Sequence, residues 1–278
     1  MALFGLITYC TNVYKNPVTG ESQRVSLTPN QEVVLGRQAT SQMGAKHGGL
    51  YPDRTLQNYI DQVGGRIVQR SSASKAPSPN ARYPYDFHLL KDPQTINAFA
   101  LPGGQVFITV GLLRRLKSEA QLAGVLGHEI GHVVARHGAE HLAKQQLGAS
   151  LVNAVGIAAS DNPNDARRAA ILAQAVNQLV SLRYGREDEL ESDQLGFRFM
   201  TEAGYNPKGI VELMQILGSA RPGGAQPEFF STHPNPGNRV QRLNSLITQA
   251  YPNGVPATLD EGRDRFAKTV LPRLSGGR

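Results

Sequence analysis

Residues 128–132 read His128-Glu129-Ile130-Gly131-His132, and they lie in a stretch from about 118 to 146 whose apolar spacing predicts a helix. Histidines at positions i and i+4 lie one turn apart on the same helix face, so their imidazoles can converge on one ion. Neutral imidazole nitrogen is a good zinc donor. Glu129 points about 100° away around the helix, where it can take a proton from water activated by the metal without ligating it. The alternative to a metal site is that both histidines lie on the surface and make ordinary hydrogen bonds.

A metal site of this kind needs a third protein ligand. One known pattern places a histidine six residues after the second histidine, but that position is Gly138. His137 would lie about 180° around a continuous helix from His128, and His141 would lie two to three turns beyond His132. Both are therefore predicted to be surface or packing residues rather than ligands.

A better source of the third ligand is the acidic stretch at residues 186–193 (REDELESD), which lies in a long helix predicted from about 166 to 203. Glu189 and Asp193 are four residues apart and share one helix face. Glu189 can ligate zinc while Asp193 accepts a hydrogen bond from the free N–H of a ligand histidine. Composition alone does not choose among Glu187, Glu189 and Glu191, and a solvated acidic helix remains an alternative.

The HExxH pentapeptide followed by residues 184–196 (YGREDELESDQLG) resembles the zinc metallopeptidase family of HtpX, BepA and the CAAX prenyl proteases. The resemblance covers about residues 48 to 245, and its motifs occur in the family's order. In that family the first glutamate of ExxxD is the third ligand. The resemblance therefore implies one Zn²⁺ per chain, held by His128, His132 and Glu189.

Two further motifs agree with this family. Residues 97–104 (NAFALPGG) resemble its substrate-binding edge strand, which implies that an extended polypeptide pairs with Asn97, Ala98, Phe99 and Ala100 by strand addition. Asn97 and Ala98 would then lie near the scissile carbonyl.

Residues 231–234 (STHP) together with Arg239 resemble the late His…Arg element of the family, with Arg239 behind the metal ligands. Two roles are open for His233. It donates a hydrogen bond to the oxyanion that forms from the scissile carbonyl, or it moves to the zinc as a fourth ligand and makes the enzyme inactive. The Pro- and Gly-rich loop at 221–237 would carry it, and a simple helix-entry loop is the alternative.

Composition restricts the class of protein. The chain has 278 residues, a net charge of +7 and one cysteine, Cys10, so no disulfide can form within it. Its basic residues are scattered and no nucleic-acid recognition motif accompanies them, so we expect no nucleic-acid partner. The charge also suits an anionic membrane surface. No apolar run reaches the length of about 18 residues that a transmembrane helix needs.

The first residues have the character of an apolar export segment. Residues 2–10 (ALFGLITYC) suggest three alternatives: a truncated secretion signal, a lipid anchor on Cys10, or a plain apolar N terminus. HtpX and the prenyl proteases are embedded in membranes, whereas this sequence contains no spans. The resemblance therefore implies the exported branch, with a periplasmic or envelope-associated location.

The periodicity predicts an α+β fold that is mostly helical, and the resemblance makes it a zincin-like fold with a small mixed sheet and an active-site helix. We expect an N-terminal arm and helix at 1–47, a zinc metallopeptidase domain at 48–250 and a C-terminal tail at 251–278. Other helices are predicted at about 31–46, 53–70, 208–219 and 238–250, and strands at about 86–91 and 105–110.

Two main functions follow from these expectations. The first is a zinc endopeptidase that hydrolyses peptide bonds in unfolded or misassembled envelope proteins. The second is a chaperone-like factor of outer-membrane quality control whose metal site is mostly latched. Glu129 favours catalysis, because a binding module has no need of a general base. A structural zinc domain is a weaker third alternative, since only three ligands are evident and structural sites usually have four.

Overall fold

The computed structural model describes residues 13–78, 81–144, 166–219, 228–234 and 237–275. The helices are α1 (Pro29–Lys46), α2 (Arg54–Arg70), α3 (Val110–Leu113), α4 (Glu119–Val134), α5 (His137–Lys144), α6 (Ala166–Val180), α7 (Arg186–Glu202), α8 (Lys208–Ser219), α9 (Phe229–Thr232), α10 (Arg239–Ala250), α11 (Arg263–Thr269) and α12 (Leu271–Ser275). The strands are β1 (Val13–Lys15), β2 (Ser22–Arg24), β3 (Pro77–Ser78), β4 (Ala81–Arg82), β5 (Asp86–Leu90), β6 (Ala98–Leu101) and β7 (Gln105–Thr109). A 3₁₀ turn covers Ser72–Lys75.

The main sheet has three strands in the order β5-β7-β6. β5 runs parallel to β7, and β6 runs antiparallel to it. Strand β7 is buried along its whole length, as expected for a central strand of apolar and β-branched residues. β6 therefore has one edge without a strand partner among the described residues. The predicted α+β class with a small mixed sheet is confirmed.

Helix α4 lies at the centre of the molecule, and all of its residues are buried. Ser118 caps its N terminus, where the Ser118 hydroxyl accepts from the Gln121 N–H at 3.2 Å. The helix packs against α7 and α8, and it also contacts α2 and the sheet. Most of its residues are apolar or small, on every side of the helix, which suits this position. The polar residues that it carries are thereby enclosed, and they include both histidines of the pentapeptide.

Glycines allow α4 and α7 to approach closely. A Cβ placed on Gly196 of α7 would lie 2.9 Å from the backbone nitrogen of His128. One placed on Gly131 of α4 would lie 3.0 Å from the carbonyl oxygen of Ser192. The first distance is shorter than real Cβ contacts and the second is tighter than most of them, so these glycines allow the two helices to lie this close together. The acidic face of α7 consequently lies directly against the histidines of α4.

Gly196→Ala should lower the free energy of unfolding by about 1 to 3 kcal/mol, because the added methyl group forces the two helices apart. Alanine's better helix propensity offsets at most about 1 kcal/mol of this loss. Chemical denaturation would measure the effect. Gly65→Ala is the matched control in α2, since its Cβ would meet only the Gln69 amide at 3.7 Å. Equal stability of the two variants would contradict the close approach described here.

Each of the two long helices predicted around the motifs is broken in the structure. The stretch at 118–146 divides into α4 and α5, because Arg136 has a positive φ of 56° and so ends the first helix. The Arg136 side chain supports this turn by donating to Glu32 at 3.0 Å and to the Leu27 carbonyl at 2.7 Å. The stretch at 166–203 divides into α6 and α7 at residues 181–185, and Gly185 is the N-cap of α7.

Both ends of the described chain pack against this core. Asn16, between β1 and β2, donates to the Val134 carbonyl at 2.7 Å, at the end of α4. Phe266 and Val270, which fall in the segment predicted as a tail, are fully buried. Glu261 accepts from the Ala120 N–H at 3.0 Å. Within the described residues, no helix is long and apolar enough to cross a membrane.

Candidate metal centre and active site

Four buried side chains converge at the contact between α4 and α7. His128, His132, Glu189 and His233 each offer one donor atom, and these atoms all lie within 4.8 Å of one another. Nε2 of His128 is 3.6 Å from Glu189 Oε2, and Nε2 of His132 is 3.4 Å from Glu189 Oε1. The two Nε2 atoms are 3.2 Å apart. Two imidazoles and one carboxylate are the ligand set of many catalytic zinc sites.

The structure distinguishes the three glutamates that composition left open. Glu187 is exposed, and Glu191 hydrogen-bonds His137 at 3.0 Å. Only Glu189 of the three enters the cluster, where its carboxylate is fully buried. It lies in the first turn of α7, which begins at Gly185 because the Asp188 carboxylate accepts from the Gly185 N–H at 2.7 Å. A negative charge is also stabilised at a helix N terminus.

A second set of groups holds these residues in place. Nδ1 of His128 lies 3.0 Å from Asp193 Oδ1, which leaves its Nε2 directed into the cluster. Arg239 donates two hydrogen bonds of 2.6 Å to the Asp193 carboxylate and one of 2.8 Å to Glu189 Oε2. The structure therefore brings Asp193 and Arg239 together, in contact with His128 and Glu189.

The carboxylates of Glu189 and Asp193 stay ionised although they are buried. Burial alone would raise the pKa of Glu189, but the charge of His233 and hydrogen bonds from His132 and His233 hold it well below its usual range. Asp193 behaves in the same way, because Arg239 holds its pKa below the ordinary value despite burial. Burial lowers the pKa of His132 well below its normal value. Ionised carboxylates and neutral imidazole are the forms that bind a metal ion.

Glu129 lies beside the cluster with an unusual lack of partners. Its carboxylate is fully buried, and neither oxygen has a hydrogen-bond partner among the described residues. Burial raises its pKa. Nε2 of His233 lies 3.7 Å from Glu129 Oε1, and it too has no hydrogen-bond partner in the described part of the chain. Such groups are costly to bury unless a ligand satisfies them, so these orphaned atoms fit a bound metal ion and the polar substrate of a reaction.

His233 follows α9 and is fully buried in the same cluster. Its Nδ1 lies 2.9 Å from Glu189 Oε1, and its ring stacks on Phe229 with centroids 4.4 Å apart. Burial would lower its pKa, but Glu189 and Glu129 together raise it. The described part of the loop predicted at 221–237 thus places His233 within the group of possible metal ligands. Residues 221–227 and 235–236 of that loop lie outside the described part of the chain.

The predicted substrate-binding residues lie next to this cluster but are largely covered. Ala98, Phe99 and Ala100 form most of β6, and all three are buried. One edge of their strand has no strand partner within the described ranges, and a cavity extends from Asn97 and Phe99 to His233. The Asn97 side-chain oxygen is buried, and no described residue hydrogen-bonds to it. The arrangement leaves a polar group available where a peptide would meet the cluster.

Two residues of the site were not assigned by sequence reasoning. His137 was predicted to face away from the metal, but it is buried, and its Nδ1 lies 2.9 Å from Nδ1 of His132. The prediction assumed an unbroken helix, and the turn at Arg136 invalidates it. Tyr184 stacks on His132 with centroids 3.8 Å apart. Tyr184 is the first residue of the motif at 184–196, and that position is the sequence signal that could have identified it as a site residue. His141, as predicted, lies outside the cluster and pairs with Asp188 at 2.7 Å.

The buried His/His/Glu group, the adjacent glutamate and the helical fold around a small sheet define a zincin-like metallopeptidase. Residues 55–247 match the model of peptidase family M48, and the chain belongs to that family. This match confirms the resemblance to the HtpX, BepA and prenyl protease group and the prediction of a metalloendopeptidase.

Curated relatives agree with this membership. The chain is similar to the beta-barrel assembly-enhancing protease of Yersinia pestis, with 32% identity over 251 residues covering 88% of this chain and 49% of that protein. The Escherichia coli K12 protein of the same name is 30% identical over 249 residues, with the same coverage. The mitochondrial metalloendopeptidase OMA1 of Schizosaccharomyces pombe is 28% identical over 251 residues, or 88% of this chain and 70% of that protein. The chain spans about half the length of these bacterial relatives.

Proposed function

We propose that this protein is a zinc-dependent endopeptidase in which Glu129 is the general base. The observation that carries the proposal is the buried Glu129 carboxylate, which has no hydrogen-bond partner in the described structure and lies beside the side chains proposed as metal ligands. A structural metal site has no use for such a group. Its raised pKa brings a carboxylate closer to the range in which a general base works best.

His128, His132 and Glu189 would hold the ion. When bound, zinc supplies Lewis acidity that polarises the scissile carbonyl and lowers the pKa of water to about 7. Glu129 accepts the proton of the attacking water and delivers it to the leaving amine. Asp193 and Arg239 keep His128 and Glu189 in their ligating orientations, in the manner of hydrogen-bonded groups around other metal ligands.

The substrate would be a polypeptide in extended form. The unpaired edge of β6 supports this proposal, because strand addition satisfies backbone hydrogen bonds with little regard to side chains. Asn97 and Ala98 would face the scissile carbonyl. The bacterial relatives are named for enhancing β-barrel assembly, and we extend that context to unfolded or misassembled envelope proteins as substrates.

Substrates of this kind imply a periplasmic or envelope-associated location for the protein. The net charge of +7 suits an anionic membrane surface. Cys10, where a lipid anchor is one of three alternatives, lies outside the described residues.

His132→Ala tests the metal site directly. We expect wild-type protein to carry one zinc per chain by elemental analysis and to cleave an unstructured substrate such as casein. The variant should lose both properties, because one of three ligands is gone. His141→Ala is the matched control, since His141 pairs with Asp188 outside the cluster. Full zinc retention by His132→Ala would contradict the ligand set, and a zinc-free, inactive wild type would overturn the proposed function.

A second function has one specific observation in its favour. His233 already lies within the group of donor atoms, 2.9 Å from Glu189, as a fourth ligand would. A site latched in this way would suit a chaperone-like quality-control factor of the outer membrane that cleaves only when the latch opens.

His233→Ala separates the two roles of this residue. If His233 is a latch, the variant should cleave casein several-fold faster than wild type, because the fourth position is freed. If His233 donates to the oxyanion, the rate should fall by about 10²- to 10³-fold. Initial rates on the same substrate, with zinc content measured in parallel, decide between them. An unchanged rate would contradict both roles.

A further inference from the structure

The two proposed metal ligands of α4, His128 and His132, differ in the group that faces the Nδ1 atom of each ring. Nδ1 of His128 faces the Asp193 carboxylate at 3.0 Å. Nδ1 of His132 instead faces a third histidine, His137, whose Nδ1 is 2.9 Å away. The other ring nitrogen of His137 lies 3.0 Å from Glu191 Oε2. All of the His137 ring is enclosed, with 2% of the side chain exposed.

This chain of contacts permits one arrangement of protons if His132 is to bind a metal. Nε2 of His132 points into the cluster and must present a lone pair to the ion, so its proton lies on Nδ1. Nδ1 of His137 must then accept that proton's hydrogen bond and carry no proton itself. The single proton of a neutral His137 consequently lies on Nε2, where it is donated to Glu191.

The groups around His137 agree with this assignment. The Ser192 hydroxyl lies 3.4 Å from His137 Nδ1 and can donate to it. On the other side of the ring, both oxygens near Nε2 belong to carboxylates: Glu191 Oε2 at 3.0 Å and Asp188 Oδ1 at 3.9 Å. Carboxylate acceptors therefore face the nitrogen that needs a proton, and the Ser192 hydroxyl, which can donate or accept, is compatible with a lone pair on the other nitrogen.

The turn at Arg136 makes the contact possible. In a continuous helix, a residue five positions after His132 would point to a different side. The left-handed conformation of Arg136, with φ of 56°, turns the chain so that His137 returns to His132. Glu191 comes from α7, the same helix that presents Glu189, so α7 would contribute both a direct ligand and the end of this relay.

We propose that His137 is a positioning residue for the metal centre, which holds His132 in the Nδ1–H tautomer and orients its Nε2 toward the ion, with Glu191 holding His137 in turn. The proposal rests on the proposed function to the extent that His132 is a metal ligand. It does not require that the protein cleave peptides, so the two ideas can fail separately.

Zinc affinity, measured by competition with a chromophoric chelator, tests this role. His137→Ala should weaken zinc binding by about 10- to 100-fold, as is typical when a group behind a ligand histidine is lost. His137→Asn should recover most of the affinity, because its oxygen is at the δ position that faces His132. His137→Gln should not, because its oxygen is at the ε position that faces Glu191. A role in packing alone would instead favour Gln, which is closer to histidine in volume than Asn is.

His141→Ala is the matched control, since it removes another histidine from α5. His141 contacts Asp188 and does not contact His132. The zinc affinity of this variant should stay within about twofold of wild type, well below the 10-fold expected for His137→Ala. Thermal unfolding of each metal-free variant separates loss of fold from loss of affinity. Unchanged affinity in a folded His137→Ala would overturn the proposal, provided His132→Ala has lost zinc.

Nitrogen-15 NMR of wild-type, zinc-loaded protein tests the same idea without a variant. We expect the His137 ring to show a protonated Nε2 and an unprotonated Nδ1. A proton on His137 Nδ1 in the loaded protein would overturn the proposal, whereas a protein that binds no zinc would instead contradict the proposed function.

Discussion

Glu129→Gln should reduce the rate of casein cleavage by about 10²- to 10⁴-fold, the usual contribution of a general base, while zinc content stays at the wild-type level. The amide has nearly the shape of the carboxylate but cannot accept a proton at neutral pH. Zinc retention is expected because the predicted ligands are His128, His132 and Glu189, which the substitution leaves in place. Activity assays and elemental analysis on the same preparation measure the two effects.

The structure adds an expectation for stability. Both oxygens of Glu129 are buried and have no hydrogen-bond partner among the residues that the structure describes, so the wild-type protein bears the cost of enclosing them. Replacing a carboxylate by a neutral amide should therefore leave the free energy of unfolding of the metal-free protein unchanged or higher. Glu187→Gln, at an exposed position of α7, is the control and should keep full activity. Substantial cleavage by Glu129→Gln would show that another group is the base.

The parts of the site that sequence reasoning places well are those set by helix periodicity. His128 and His132 lie one turn apart within α4, and Glu189 and Asp193 lie one turn apart within α7. Such relations are local and hold in any helix. How the two helices meet is less local, and it depends on glycines such as Gly131 and Gly196, whose lack of a Cβ lets the two backbones come into contact. The choice of Glu189 over its neighbours came from family resemblance rather than from periodicity.

The parts that sequence reasoning misplaces depend on contacts between distant residues. No local signal marks Arg136 as left-handed, since such a φ is uncommon outside glycine and asparagine. It is held by Glu32 and Leu27, more than 100 positions earlier in the chain. The prediction of one helix over 118–146 was therefore wrong at this residue, and the orientation of His137 was wrong as a consequence.

Tertiary contacts also explain the break in the helix predicted at 166–203. The Tyr184 N–H donates to the Thr232 carbonyl at 3.0 Å, which connects the segment between α6 and α7 to the turn that carries His233. The absence of proline from the predicted helix concealed this break. The result is functional, because the irregular segment places the Tyr184 ring against His132 instead of on the surface of a helix.

Arg239→Met should lower the free energy of unfolding by about 3 to 5 kcal/mol, the usual cost of removing one partner from a buried ion pair. Arg239 is 1% exposed and donates to both Asp193 and Glu189. Burial alone would lower its pKa, but these carboxylates raise it above the ordinary value, so the guanidinium stays charged. Methionine fills similar space but leaves two carboxylates enclosed without their cation. Denaturant unfolding of the metal-free protein measures the loss.

Arg242→Met is the matched control, because it makes the same chemical change one turn along α10 at an exposed position and should cost less than about 0.5 kcal/mol. Adding Asp193→Asn to Arg239→Met should recover part of the stability, since one of the two uncompensated charges is then removed. Additive losses in the double variant would mean that Asp193 and Arg239 are energetically independent. A coupled result would instead show that the ion pair behind His128 and Glu189 is part of the fold as well as of the metal site, because the same guanidinium supports both ligands.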